Sequence, residues 1–235
     1  MSKYYQIFRQ KTLLPVIHVQ NLDHALRNIE VCLVAGTDGT FLIDHNTPDQ
    51  PENLLRIAKE IKHRFPNFWV GVNMLGIGLR KIPDFDIQGV DGIWVDDCGI
   101  NLYSNTLQAE VFWRIIAEWK TMYFGGVSFK YTSGYSADSK VSADLAKLAE
   151  PFMDVITTSG PGTGMSAPVD KIKAMKEALH EKPLAIASGV ELSNINDYLP
   201  WVDSFLVATS INKPGTENLD LHKTTKLAEI IHTAD

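Results

Sequence analysis

Two short segments of this chain, Ser188-Gly189-Val190 and Ala208-Thr209-Ser210, place small polar residues directly after the apolar runs PLAIA and SFLV. Free backbone N–H groups at such turns, reinforced by the positive end of a helix, hold an oxyanion without any lysine. Gly189 has no Cβ to obstruct close approach, and Thr209 and Ser210 add hydroxyl donors. One Ser-Gly pair alone would be an ordinary strand-to-helix turn; two such segments together point to a phosphate group. A third stretch, Ser159-Gly160-Pro161-Gly162-Thr163-Gly164, carries three glycines and two hydroxyls. It suits an anion-binding nest, a lid or a plain surface loop. It is not a Walker A motif, since no Gly-Lys-Ser/Thr closes it. No cofactor is expected.

The residues able to move protons lie elsewhere. Lys130 ends the run VSFK, with Ser128 and Gly126 two and four positions earlier and so on one face of a strand. An amine there could pair with a neighbouring carboxylate, bind an anion, or serve as a base or Schiff-base amine. Asp96 and Asp97 are adjacent, so only one of them can face a cavity. Asn73 and Asp44 end two further runs, His45 follows Asp44, and His18 lies near the end of another. Asp44, His45 and Asp96 could contribute metal ligands, but no spacing demands a metal and none is assigned. His18 is expected to be a packed, hydrogen-bonded histidine, and the remaining histidines surface residues.

What must position these groups is an alternation of short β-branched runs with amphipathic helical patterns. Strands are expected at 14–19, 40–44, 68–74, 92–97, 122–130, 154–158, 183–188 and 204–210. Helical patterns occupy 21–30, 108–120, 142–150, 168–179, 192–199 and 219–233. Another runs from Thr47-Pro48, a cap followed by proline at the first helical position, to Pro66. A weakly helical stretch ends near Pro83. Eight units in strict alternation imply parallel strands joined by right-handed crossovers. In 235 residues this predicts an α/β fold, a parallel eight-stranded (β/α)8 TIM barrel forming a single domain over 1–235. An open doubly wound sheet shares the local pattern but fits the count less well. The site then opens at the carboxyl ends of the strands, where 99–106, 131–140 and 160–167 are the longest connections.

Composition narrows the partners. A net charge of -6 without a basic run argues against nucleic acid or an acidic membrane surface. No apolar stretch is long enough for a membrane span, and MSKYYQIFRQ lacks a signal core. Cys32 and Cys98 form no CxxC and read as buried thiols in a reducing compartment, so the expected location is cytoplasmic. A homo-oligomer is the expectation for barrels that pair through their helices.

PLAIASGVELSN, DVITTSGPGTG, VSFK at 127–130, VGVNML at 70–75 and DSFLVATS at 203–210 resemble the motifs of the BtpA-like family. That family is a TIM-barrel family of the ribulose-phosphate-binding barrel group. The resemblance covers nearly the whole chain after residue 40 and is most specific between 120 and 211. It implies a site made of Asn73, Asp96, Lys130, Gly160, Thr163, Gly164, Ser188, Gly189, Asn194, Thr209 and Ser210, and it selects Asp96 over Asp97. Departures mark a divergent member. The family's proline- and glycine-rich loop after strand one is missing. Trp94 stands where the family has an arginine, Gly126 where it has an acid, and Asn212 where it has a lysine. Name-giving members are linked to photosystem I assembly or stability, others sit with sugar-metabolism genes, and some are described as phosphoribosyltransferase-like.

These observations lead to one expectation with an alternative. The first is an enzyme that binds a small phosphorylated metabolite, a sugar or ribose phosphate, at the carboxyl-terminal face. Lys130 and Asp96 would be its acid–base groups beside Asn73, and the reaction an isomerisation, lysis or transfer. The alternative is a non-catalytic assembly or stability factor with a vestigial phosphate pocket. A chelator-sensitive hydrolase ranks third.

Overall fold

The computed structural model describes residues 2–103 and 106–234. Ser104 and Asn105, within the 99–106 connection, lie outside the described residues. In chain order the elements are α1 (Lys3–Ile7), β1 (Thr12–His18), α2 (Leu22–Ala35), β2 (Gly39–Ile43), α3 (Glu52–Arg64), β3 (Trp69–Asn73), β4 (Gly92–Val95) and α4 (Leu107–Ile116). They continue with β5 (Met122–Gly126), α5 (Ser139–Ala149), β6 (Val155–Thr158), α6 (Val169–Ala178), β7 (Leu184–Ala187), α7 (Ile195–Tyr198), β8 (Ser204–Val207) and α8 (Leu221–His232). The strands pair in parallel in the order β1 to β8, and β1 closes on β8. A 3-10 turn, Ile82–Asp84, stands where a β3–β4 crossover helix would be.

Strand alternation sorts the side chains into two shells. Leu14, Val16, Phe41, Ile43, Trp69, Trp94, Phe124 and Leu206 point inward and fill the barrel. Leu13, Ile17, Leu42, Val70, Ile93 and Ile156 point outward and pack beneath the helices. Such large rings fit because glycines face them. A Cβ on Gly92 would lie 2.5 Å from the Trp69 ring, and one on Gly71 would strike Phe41. Tyr4, on the short α1, closes the amino-terminal end of the barrel, its hydroxyl 3.0 Å from Thr12 Oγ1.

Several strands stop earlier than their β-branched runs suggest. β5 ends at Gly126 instead of continuing to Lys130, because Ser128 takes a φ of 48° and turns the chain. Its hydroxyl is then occupied behind the barrel by Ser136 and Ser142, so Ser128 does not share a face with Lys130. β4 ends at Val95, and β8 gives way to a 3-10 turn at Thr209–Ile211. Thr47-Pro48 does not open α3. Thr47 Oγ1 donates instead to Asp44 Oδ2 at 2.9 Å, and the helix starts at Glu52 after Pro51.

Candidate functional site

A cavity of about 530 Å³ opens at the carboxyl ends of the strands. The turns after β7 and β8 form one wall, with Ser188, Gly189, Thr209 and Ser210 all lining it. Among the described residues, the backbone N–H groups of Gly189, Thr209 and Ser210 have no protein acceptor, although every regular element around them is paired. Unpaired donors at the mouth of a cavity are the part of this chain best suited to an anion.

The reasons these turns exist differ from those the residue types suggest. A Cβ on Gly189 would strike the carbonyl of Met165, as would one on Gly160. Both glycines therefore admit the returning backbone at Met165–Ser166 between the β6 and β7 turns, and Gly189's bare Cα faces protein. Gly160 is buried and does not line the cavity. Asn194 does not line it either. Its side chain donates to Gly189 O at 2.8 Å and to Ser166 Oγ at 3.1 Å, and accepts from Glu191 N at 2.9 Å, so it holds the turn's shape. α7 begins only at Ile195, so its positive end does not sit at Gly189. Ser188 has a φ of 103°, a strained value for a residue with a side chain. Its hydroxyl donates to Gly162 O at 2.9 Å and accepts from Gly164 N at 3.0 Å. Those bonds draw the 160–164 loop over the cavity, where Thr163 and Gly164 join the lining. Tyr131 adds a third tie, its hydroxyl accepting from Thr163 N at 3.0 Å.

Lys130 reaches the cavity from beyond the end of β5. Its backbone N–H donates to Ser159 Oγ at 2.8 Å, and its Nζ lies 3.4 Å from Thr163 Oγ1. Burial pulls its ammonium below the ordinary lysine range, opposed by Asp96 and Tyr131. Asp96, beyond β4, also lines the cavity, as the family motif implied. Burial raises its carboxyl above the usual range, against the Asn73 hydrogen bond and the Lys130 charge. No direct Lys130–Asp96 ion pair forms among the described residues, although the two groups face the same space and each charge favours the ionised form of the other. Asn73 is buried below and donates to Asp96 Oδ1 at 3.0 Å; it orients the acid and does not line the cavity.

Eight of the expected site residues thus meet at one cavity (Asp96, Lys130, Thr163, Gly164, Ser188, Gly189, Thr209 and Ser210), while Asn73, Gly160 and Asn194 support it from behind. Asp44 is spent on its own loop, accepting from Asn46 N at 2.8 Å and from Thr47, so it is free neither as a base nor as a ligand. Among the described residues no three His, Cys, Asp or Glu side chains converge as a metal set. Not all the remaining histidines are surface residues. His24 is buried on α2, whereas His45 is exposed as expected and lines the open cavity with its ring 4.8 Å from that of His18. Trp94 forms the floor, and a Cβ on Gly126 would strike the Asp96 carbonyl. That contact explains the missing acid at position 126.

Sequence reasoning missed Lys171. This fully buried residue of α6 donates from Nζ to Ser128 O at 2.8 Å and to Ser159 O at 2.9 Å, tying together the two loops that carry Lys130 and Thr163. Helical periodicity offered no signal, because Lys171 looks like any solvated lysine of an amphipathic helix.

Comparison with known proteins agrees with this architecture. The BtpA family matches residues 120–233. The matched segment contains Lys130, the 160–164 loop and the turns after β7 and β8. An uncharacterised protein of Methanocaldococcus jannaschii is 23% identical, covering 95% of this chain and 96% of its own. Among solved structures, (S)-3-O-geranylgeranylglyceryl phosphate synthase from Thermoplasma acidophilum, in complex with sn-glycerol-1-phosphate, superposes with a TM-score of 0.68. It is 15% identical and covers 98% of this chain and 97% of its own. Orotidine 5'-monophosphate decarboxylase from M. jannaschii superposes with a TM-score of 0.64 at 16% identity, covering 94% and 98%. At these identities the likeness is one of fold. No helix among the described residues is long and apolar enough to cross a membrane.

Proposed function

We propose that this chain is an enzyme that grips the phosphoryl group of a small phosphorylated metabolite at the turns after β7 and β8. Lys130 and Asp96 act on the ligand's other end. One observation carries the reading: the unpaired amides of Gly189, Thr209 and Ser210 line the same cavity as the Lys130 amine and the half-buried Asp96 carboxyl. The volume of about 530 Å³ suits a sugar or ribose phosphate and lies in the range of small-molecule sites. The Lys130 amine, drawn toward neutrality, can polarise a carbonyl or take a proton, and Asp96, drawn toward protonation, can return one. Isomerisation, lysis and group transfer all use such a pair. The solved synthase and decarboxylase, whose names include phosphorylated compounds, support the class of ligand by analogy of fold.

A second reading keeps the pocket and drops the chemistry. Trp94 in place of an arginine leaves the floor apolar, which favours a BtpA-like assembly or stability factor with a residual phosphate site. Thermal unfolding with inorganic phosphate and ribose 5-phosphate tests both readings at the pocket. A ligand at about a hundred times its Kd stabilises by about 2.7 kcal/mol. For a chain of this size that raises Tm by about 5–10 °C. Unchanged Tm with millimolar phosphate esters contradicts the pocket in either form. A rise that is undiminished in Lys130→Ala favours the non-catalytic reading.

A further inference from the structure

The wall of the cavity facing Lys130 holds a second polar constellation that neither the motifs nor the proposed acid–base pair includes. His18 ends β1, which stands across the barrel from β5. Its Nδ1 lies 2.9 Å from Glu217 Oε2, while its Nε2 has no protein partner among the described residues. Glu217 belongs to the segment between β8 and α8, which is pinched into a small hairpin by the Asn212–Leu219 bridge. Two buried polar residues one turn apart on α2 hold that hairpin in place. His24 Nε2 meets Glu217 O at 3.2 Å, and Asn28 Oδ1 accepts from Leu219 N at 2.7 Å. Burying polar side chains under a surface hairpin is costly unless they find partners; His24 Nε2 and Asn28 Oδ1 find theirs in the backbone that carries Glu217, while His24 Nδ1 has none.

We propose that His18 is a further catalytic residue of this cavity, a proton acceptor whose Nε2 faces the ligand, and that Glu217 is its positioning residue. The assignment rests on the phosphate-ester reading given above. A carboxylate on Nδ1 fixes the tautomer with the proton on Nδ1, leaving the Nε2 lone pair for the ligand. When Nε2 takes a proton from a ligand O–H or from a C–H beside a carbonyl, the imidazolium formed stays paired with Glu217. The same proton then returns to the product. Burial lowers the imidazole's affinity for protons, with His45 and Lys130 acting in the same direction and Glu217 against, so the ring is held neutral and ready to accept.

Long-range 1H–15N NMR of the histidine-labelled protein at pH 7.5, combined with amide spectra, tests this. The expected result is a neutral His18 with Nδ1–H, whose Nε2 resonance shifts with ribose 5-phosphate but not with inorganic phosphate. Both ligands should move the Gly189 and Thr209 amides. Glu217→Gln should lose the Nδ1–H preference while the amide shifts persist. Amides that move while His18 Nε2 stays still, or a wild-type His18 already protonated at Nε2, overturn the His18 assignment alone. Amides that do not move with either ligand overturn the phosphate reading, and the assignment falls with it.

Discussion

Replacing Lys171 with methionine should change how stability depends on pH. Lys171 is fully buried, and burial pushes its ammonium down to about 7 from an ordinary 10.5. Above that pH the side chain is a neutral amine whose two N–H bonds match the carbonyls of Ser128 and Ser159. Below about pH 7 both the folded and the unfolded chain carry the proton, so this group adds no slope. Between about 7 and 10.5 only the unfolded chain holds it, so native stability rises with pH by about 1.4 kcal/mol per unit. Across the whole window the gain approaches about 5 kcal/mol as an upper limit. Lys171→Met abolishes this slope and leaves the Ser159 carbonyl without a donor, at about 1–3 kcal/mol, while the Ser128 carbonyl keeps only the Thr158 hydroxyl at 3.3 Å. Urea unfolding at several pH values between 6 and 10 measures both effects, and subtracting the variant's curve cancels the tyrosines and other lysines that titrate in both proteins. The wild-type advantage should widen steadily from pH 7 to pH 10. Parallel curves, differing by a constant, would show that Lys171 stays charged in the fold and refute the argument.

Three further outcomes follow from the geometry. Gly36 and Gly189 have nearly the same φ, 72° and 71°, but only Gly189 has backbone where a Cβ would go. In thermal unfolding Gly36→Ala should cost about the 1–2 kcal/mol of a left-handed residue, and Gly189→Ala distinctly more. Asn194→Ala leaves Glu191 N without its acceptor and Gly189 O with the Ser166 hydroxyl alone, so it should weaken ribose 5-phosphate binding by about tenfold in calorimetry, equivalent to about 1.4 kcal/mol. Binding unchanged by that substitution would show that the turn keeps its shape unaided. If the chain pairs with itself through α4, where Leu107, Val111 and Ile115 are 57%, 47% and 47% exposed, Val111→Lys should shift its mass in light scattering from dimer to monomer.

The barrel was legible because period-2 and period-3.6 patterns alternate eight times, and parallel connections of that kind leave few architectures open. Residue type at strand ends likewise picked out Lys130, Asp96 and the two turns after β7 and β8, which all line one cavity. Strand lengths were less legible. The run from Met122 to Val127 carries no polar break, and nothing local signals that Ser128 leaves the sheet to bond Ser136 and Ser142. Glycine was read correctly as a place of close approach, but Gly160 and Gly189 are approached by the Met165 carbonyl, a contact set by tertiary packing alone. Glu217 and Lys171 could not be found by pattern. Each looks like a solvated charge, and only the hairpin after β8 or the α6 packing places it against its partner. Thr47-Pro48 carried a valid cap signal, and the competing Asp44 hydrogen bonds won.

The most direct test is a crystal structure of the protein grown or soaked with ribose 5-phosphate. The phosphoryl oxygens should accept from the amides of Gly189, Thr209 and Ser210 at about 2.7–3.2 Å, with the sugar directed toward Lys130. A phosphoryl group bound elsewhere on the chain, or those three amides closed onto protein carbonyls, would contradict the account.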